Sequence, residues 1–146
     1  MGLDRVAHLP TWLLSRANAR AQAILAAEFA ADGIRGYHYR LLAALAQYGS
    51  LSQADLGRRT GIDRKDVAIA VAELEADGLV VRTPDPDDAR RKVVDLSRRG
   101  DSRLRRLDTV LQSVQTEVLA PLDHEEQQIV IRLLAKLADR HEDTAG

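Results

Sequence analysis

The spacing of apolar residues predicts a chain that is mainly helical. Apolar side chains recur three or four positions apart in several segments, which places them on one face of a helix. The first segment begins at Pro10, whose fixed φ suits the first turn of a helix, and ends at Asp32 and Gly33. Besides this helix over residues 10–31, we predict helices over residues 37–48, 52–61, 63–77, 98–119 and 123–141.

A different pattern separates the fourth helix from the fifth. Residues 79–83 and 93–96 are short runs rich in Val and Leu, which are typical of strands. Residues 84–91, rich in Pro and Asp, connect the two runs as a loop. These segments predict a β-hairpin with a long tip. The fold class is therefore mainly α with a small β-hairpin wing, an α+β arrangement.

Polar residues mark the predicted helix starts. Ser52, Asp63, Ser97 and Asp123 each precede a helical pattern and are typical N-cap residues. We expect the side-chain oxygen of Ser52 to accept a hydrogen bond from the amide of Asp55. Glycines at positions 49, 61 and 78 mark three helix ends, because glycine is favoured just after the last turn.

Composition limits the class of protein. The chain has 146 residues, the length of one domain, and 45% of them are hydrophobic, enough for a core. It has no cysteine, which excludes a disulfide framework, a thiolate zinc site and a thiol redox switch. No apolar run approaches the roughly 20 residues of a membrane-spanning helix, and the first residues lack the apolar core of a signal peptide. We therefore expect a cytoplasmic protein.

Charge is unevenly distributed along the chain. The formal net charge is −1, but residues 57–106 hold thirteen Lys and Arg against ten Asp and Glu, whereas residues 107–146 hold three against eight. A protein without net positive charge can still bind nucleic acid if its cations lie on one face. Charge alone favours an ordinary solvated surface. The choice between such a surface and a nucleic-acid-binding face therefore depends on the motifs.

Residues 52–77 have the form of a helix-turn-helix motif: a short helix, a glycine-containing turn and a longer helix. In such a motif the N-terminal residues of the second helix enter the major groove of DNA. Arg64 and Lys65 at that position have the length and charge to reach guanine edges or phosphates. A helical pair that only packs into the fold is the alternative. The residues of this segment predicted to contact DNA are Ser52, Gln53, Asp63, Arg64, Lys65, Ala68 and Ile69.

The predicted hairpin adds a second basic element. Its tip carries Asp88, Arg90, Arg91 and Lys92. Arginine on such a tip is attracted by the negative potential of a narrow minor groove. Phosphate would repel a carboxylate, so we expect Asp88 to hydrogen-bond Arg90 and hold it extended. A solvated charged turn is the alternative, but the position directly after a helix-turn-helix favours contact with DNA.

At this point the chain resembles a known family. Residues 61–100, GIDRKDVAIAVAELEADGLVVRTPDPDDARRKVVDLSRRG, look like the recognition helix and wing of MarR-family regulators. The family's wing pattern of Asp, any residue, Arg matches residues 88–90, and its LExxGLVxR pattern matches residues 74–82. The order of elements extends the resemblance over nearly the whole chain.

The resemblance implies a homodimeric transcriptional regulator with a winged helix-turn-helix lobe over residues 36–96. Helices over residues 8–31 and 98–142 would form the dimerisation platform of a single domain, residues 1–146. Two recognition helices would meet half-sites about one helical turn apart on a pseudo-palindromic operator. Many such proteins are repressors that leave DNA when a small ligand, often aromatic or phenolic, binds to them.

The sequence supports the dimer independently of the resemblance. The apolar stripes of the terminal helices are long, and a small lobe offers little surface on which to bury them. The alternative is that these helices wrap their own domain.

The chain departs from the family pattern in its recognition helix. Ala68 and Ile69 stand where related proteins often carry polar or basic residues. Base recognition would then depend on Arg64 and Lys65, with Ala68 in contact with a thymine methyl group. In the wing, Ala89 stands where an Arg is frequent.

Three residues are candidates for a small-molecule site. Trp12 and Arg16 lie one turn apart on the first helix, and His38 shares an apolar stripe of the second. Together they would offer a stacking face, a cation and a hydrogen-bonding group to a carboxylate or phenol. The simpler interpretation makes His38 a hydrogen-bonded core histidine and Trp12 a core residue. The four histidines are dispersed without the spacing of metal ligands, so we predict no metal and no cofactor.

Enzymes are the first rival class. The sequence lacks a nucleophile elbow, a phosphate-binding glycine-rich loop and a cluster of His and carboxylates. We predict a sequence-specific DNA-binding repressor. Its predicted partners are double-stranded DNA, a second copy of the chain and a small-molecule effector. Two alternatives stay open: a winged-helix protein-interaction module, which Ile69 would suit, and a non-specific DNA binder.

Overall fold

The helices follow the predicted order, and one strand is added. The computed structural model describes residues 3–139. Its helices are α1 (Pro10–Ala31), α2 (His38–Tyr48), α3 (Gln53–Thr60), α4 (Arg64–Ala76), α5 (Arg98–Leu119) and α6 (His124–Asp139). Its strands are β1 (Leu51–Ser52), β2 (Val80–Pro84) and β3 (Lys92–Leu96). None of the helices within residues 3–139 combines the length and hydropathy that a membrane span requires.

Most of the predicted caps are present. The Oγ of Ser52 accepts from the Asp55 amide at 3.1 Å, and the Oγ of Ser97 accepts from the Gly100 amide at 2.9 Å. Asp123 begins α6 in a reciprocal capping box, in which its Oδ1 accepts from the Glu126 amide at 2.8 Å. The end predicted for this helix, at residues 141 or 142, lies outside the described residues.

The cap predicted at Asp63 needs a correction. Asp63 is the residue before α4, but in the described chain its side chain makes no capping hydrogen bond, and it is exposed. An exposed carboxylate at a helix start still interacts favourably with the partial positive charge of the first turn. The position of the N-cap was therefore predicted correctly, but the Asp63 side chain makes no capping hydrogen bond there.

The hairpin belongs to a three-stranded antiparallel sheet rather than a two-stranded one. The strand order is β1-β3-β2, with Leu51 opposite Val94 and Arg82 opposite Val94 from the other side. The sequence analysis missed β1 because two residues are too few to show an alternating pattern. Only the approach of β3 turns this segment into a strand. The pairing attaches the wing to the start of α3.

A single core joins the lobe to α5. Val67, Val71 and Leu74 cover the inner face of α4, and Leu107 reaches the same core from α5. Because a helix has 3.6 residues per turn, burial of this α4 face turns the opposite face outward. The remaining buried members come mainly from α2, α3 and the sheet, among them Leu41, Leu42, Leu45, Leu56, Val80 and Val94.

The start of α5 packs closely on the start of β2. Gly100 is buried, and a Cβ at this position would overlap the carbonyl oxygen of Leu79. The Ser97 amide donates to the same carbonyl at 3.1 Å, and the Ser97 hydroxyl donates to the Gly78 carbonyl at 2.7 Å. These contacts fix the beginning of α5 against the point where α4 ends and the wing begins.

Polar contacts connect α5 with the first two helices. Arg106 pairs with Asp32 at 2.8 Å after the end of α1. The Tyr39 hydroxyl on α2 donates to Asp108 Oδ1 at 2.8 Å. Burial, together with this hydrogen bond to a carboxylate, raises the pKa of Tyr39 to about 12. The neutral tyrosine therefore stabilises the contact between α2 and α5.

We expect Gly100→Ala to lower the free energy of unfolding by roughly 1–3 kcal/mol, as overpacking does elsewhere. Alanine normally favours a helix over glycine by about 1 kcal/mol, so a loss of stability would report the overlap with Leu79. Urea denaturation followed by circular dichroism measures the change. Ser102→Ala, at an exposed position of the same helix, is the control and should change stability by less than about 0.5 kcal/mol. A stabilised Gly100→Ala protein would contradict the close approach.

We expect Tyr39→Phe to lower the free energy of unfolding by about 1 kcal/mol at pH 8, because one hydrogen bond is lost. The pKa of Tyr39 is raised from 10.0 to about 12, so the folded state binds the hydroxyl proton more tightly than the unfolded state. Its contribution is complete below pH 10 and disappears as the pH rises towards 12. Unfolding of both proteins should be measured from pH 8 upwards. A difference that stayed constant across this range would count against the Tyr39–Asp108 bond.

Candidate nucleic-acid interface

The N-terminal half of α4 presents an exposed face. Gly61 adopts a left-handed φ of +71°, which ends α3 and turns the chain into α4. Arg64 and Lys65 follow in the first turn with exposed side chains. Ala68 and Ile69 continue this face, and Ile69 is 53% exposed. The residues predicted to enter a major groove thus lie together on the outward side of the helix.

The wing tip holds its arginine through the expected hydrogen bond. Asp88 Oδ1 accepts from the Arg90 amide at 3.1 Å and from Arg90 Nε at 3.3 Å, while the Arg90 side chain is 92% exposed. The loop is closed by the Asp85 amide, which donates to the Arg91 carbonyl at 2.8 Å. A carboxylate paired in this way orients a guanidinium that still extends into solvent.

A basic groove lies between the helix-turn-helix and the wing. It has a volume of about 430 Å³. Its lining residues are Ser52, Gln53, Ala54, Arg64, Arg82, Arg91, Lys92 and Val94. The structure therefore brings together Ser52 and Gln53 from the start of α3, Arg64 from α4, and Arg91 and Lys92 from the wing. Four of the lining side chains are cationic and, among the described residues, none is a carboxylate.

Sequence reasoning missed Arg82, the fourth cation of this groove. Arg82 lies on β2, where it forms a two-point ion pair with Glu75 of α4: its Nε is 3.2 Å from Oε2 and its Nη2 is 2.9 Å from Oε1. This hydrogen bonding holds the pKa of the Glu75 carboxyl below its usual range and raises the pKa of Arg82. The available signal was the alternation of β2, which places Arg82 on the same face as its cross-strand partner Val94.

The candidate ligand residues are not brought together in the single chain. Trp12 and Arg16 lie in the first two turns of α1, and His38 follows the other end of that helix, roughly 25 Å away along its axis. His38 is only 4% exposed. Its Nε2 is 3.3 Å from a carboxylate oxygen of Glu73, which also accepts from Arg35 Nη2 at 2.7 Å. This environment fits the hydrogen-bonded core histidine of the simpler interpretation.

An apolar groove lies along the C-terminal half of α1. Leu25, Phe29 and Ile34 supply apolar walls to a space of about 320 Å³, which Arg35 also lines while its guanidinium pairs with Glu73. Such a space suits a small molecule with an apolar body. Within residues 3–139 no cluster of three or more His, Asp and Glu has the arrangement of a metal site.

The chain is similar to known regulators over most of its length. A sequence model of the MarR family matches residues 32–91. The transcriptional repressor NicR of Pseudomonas putida is 28% identical over 139 residues, which span 95% of this chain and 85% of that protein. The similarity therefore extends beyond the winged helix into both terminal helices.

Solved structures extend the comparison. A probable transcriptional regulator from Pseudomonas aeruginosa is 33% identical with a TM-score of 0.76, covering 90% of this chain and 98% of that one. A MarR family protein from Mycobacterium tuberculosis, solved in complex with DNA, is 26% identical with a TM-score of 0.76, covering 88% and 96%. PcaV from Streptomyces coelicolor, solved with its natural ligand, is 28% identical with a TM-score of 0.73, covering 95% and 98%.

We expect Arg90→Ala to weaken binding to duplex DNA by roughly tenfold, about the value of one hydrogen bond to a charged group. The loss should be similar for every duplex, because a wing-tip arginine recognises shape and charge more than base identity. Fluorescence anisotropy with several labelled duplexes measures it. Arg105→Ala is the matched control, since Arg105 is also exposed and paired with a nearby carboxylate, Asp101, but lies on α5. Equal affinities of the two variants for duplex DNA would show that the wing does not contact it.

Proposed function

Because the chain belongs to the MarR family of DNA-binding transcription regulators, we propose that it is a homodimeric repressor that binds a pseudo-palindromic operator. Proteins of this family are DNA-binding regulators and not enzymes. The observation that carries the proposal is the basic groove, which joins the start of the recognition helix α4 to the wing. The excess positive charge thus lies where a DNA backbone would run, although the net charge of the chain is −1.

Each part of this surface has a different role in the proposed complex. Arg64 and Lys65 at the start of α4 contact base edges or phosphates in the major groove, and Ala68 lies against a thymine methyl group. Ile69, exposed on the same face, adds an apolar contact of the same kind. Arg90 enters the adjacent minor groove. Ser52, Gln53, Asp63, Arg91 and Lys92 position the duplex, and Asp88 orients Arg90.

Exposed apolar residues on the terminal helices support the homodimer. In a single chain none of the described residues of α6 is buried, although the helix carries Ile129, Leu133, Leu134 and Leu137. Leu137 is 65% exposed. On α1, Leu13 and Leu14 are similarly exposed near the N-terminus. Helices with such faces need a partner, and a second copy places two recognition helices on one duplex.

A small effector is the proposed regulator of the complex. NicR is a repressor by name, and PcaV was solved with its natural ligand, which supports repression and ligand control in this chain. The apolar groove beside Arg35 suits an aromatic or phenolic molecule. Trp12 and Arg16 are too far from His38 to share a site in one protomer, so a site that used all three would need residues from both protomers. As a regulator of transcription, the protein would work in the cytoplasm.

Selection of bound duplexes from a random DNA library tests the proposal. The purified protein at moderate salt should enrich an inverted repeat with half-sites about one helical turn apart. Leu137→Glu, which places a charge on the proposed dimer surface, should enrich single half-sites or nothing. Enrichment of no sequence by a folded protein would favour a non-specific DNA binder. Failure to bind any duplex would favour a protein-interaction module using Ile69.

We expect Arg64→Ala to relax sequence preference at one position in each half-site, at a cost of roughly 1–3 kcal/mol for the preferred base. The reason is that Arg64 lies at the exposed start of α4, where a recognition helix meets base edges. The same library selection, repeated with the variant, measures the change. An unchanged preference at every position would exclude base recognition by this residue.

A further inference from the structure

Four cationic residues from three different elements line the same basic groove. Arg64 begins α4, Arg82 lies in β2, and Arg91 and Lys92 lie at the start of β3. Like charges gathered around one groove repel one another, and an anion bound among them offsets that repulsion. The groove is open to solvent and about 430 Å³ in volume, enough for a phosphodiester group and its hydration. Its charge and position indicate an anionic ligand along the path from α4 to the wing.

Arg82 differs from the other three cations because its side chain is held in place. The side chain of Arg82 is 31% exposed and that of Glu75 is 39% exposed. Glu75 accepts from Nε and Nη2 of Arg82, which fixes the plane of the guanidinium. Arginine has five N–H donors, so donors remain for a second acceptor after this pairing. A guanidinium fixed in this way loses little side-chain entropy when it binds phosphate.

We propose that the basic groove binds a phosphate of the DNA backbone, with Arg82 as an additional phosphate ligand and Glu75 as its positioning residue. This inference rests on the proposed function, because it adds a backbone contact to the same interface. The phosphate lies between the recognition helix and the wing, and it fixes the distance between them on the duplex. It carries no sequence information, since phosphate contacts position a protein and base contacts specify.

An ion pair that only stabilises the fold is the competing explanation for Arg82 and Glu75. The two explanations predict different effects of Arg82→Gln and Glu75→Gln on DNA binding. If the pair were only structural, Arg82→Gln and Glu75→Gln would both weaken the link between α4 and β2 and affect DNA binding alike. If Arg82 binds phosphate, Arg82→Gln removes a cation from the interface. Glu75→Gln instead keeps the cation and one of the two oxygens that accept from it, so it loosens the guanidinium without removing its charge.

The test is the salt dependence of binding to two duplexes, one selected as an operator and one unrelated, each of the same length. We expect Arg82→Gln to bind both duplexes roughly tenfold more weakly than the wild type. The slope of log affinity against log salt should decrease in magnitude by about 0.9, the value for one phosphate contact on duplex DNA. Glu75→Gln should weaken binding to both duplexes less than Arg82→Gln does, with an unchanged slope, because the charge of Arg82 remains while its orientation is loosened. Arg82→Lys should restore the slope because it restores the charge.

One control variant, together with the wild type, separates the possible failures. Arg105→Gln makes the same change of charge and breaks an ion pair with Asp101 on α5, away from the groove. If Arg82→Gln behaved like Arg105→Gln while the wild type bound DNA, the phosphate site would be wrong and the proposed function would stand. If Glu75→Gln weakened binding as much as Arg82→Gln, the structural ion pair would replace the proposal. A wild type that bound neither duplex would overturn the proposed function itself.

Discussion

The close approach of Gly100 to Leu79 fixes both ends of the wing at one place. The strand β2 starts just after Leu79, and β3 ends just before Ser97, whose side chain and amide bond to Gly78 and Leu79. From this point α5 continues through the core, where Leu107 is fully buried. The wing, the recognition helix and α5 therefore cannot shift independently. A side chain at position 100 would force them apart, so glycine is required there by space and not by backbone conformation.

The distribution of charge on the surface follows from this geometry. The chain has nearly as many acidic as basic residues, yet the groove between α4 and the wing is lined by four cations. Two carboxylates near this surface are paired with its arginines: Glu75 with Arg82 and Asp88 with Arg90. Each pair orients a guanidinium at a modest energetic gain, as expected for partly exposed ions. The acidic residues thus shape the basic surface that a duplex would meet.

A different interaction, the hydrophobic effect, acts on the exposed apolar faces of the terminal helices. The helix α6 has an apolar face with no described residue buried in the single chain, whereas α5 buries Leu104, Leu107 and Val114. An apolar face of this length is costly in water and supports the proposed homodimer. The same organisation separates Trp12 from His38 within the single chain. Any effector site that includes both would therefore depend on dimerisation.

The sequence by itself determined the features that depend on neighbouring residues. Helical periodicity, the caps at Ser52, Ser97 and Asp123, and the glycine turn at residue 61 all act within a few residues, so they placed α1 to α6 nearly correctly. The bond between Asp88 and Arg90 is equally local. Only the tertiary structure decided what distant segments do together. It paired Leu51 with Val94, brought Arg82 beside Glu75 and Arg64, and buried His38 against Glu73. These contacts depend on how the elements pack, and packing is set by the whole core and not by any one stretch of sequence.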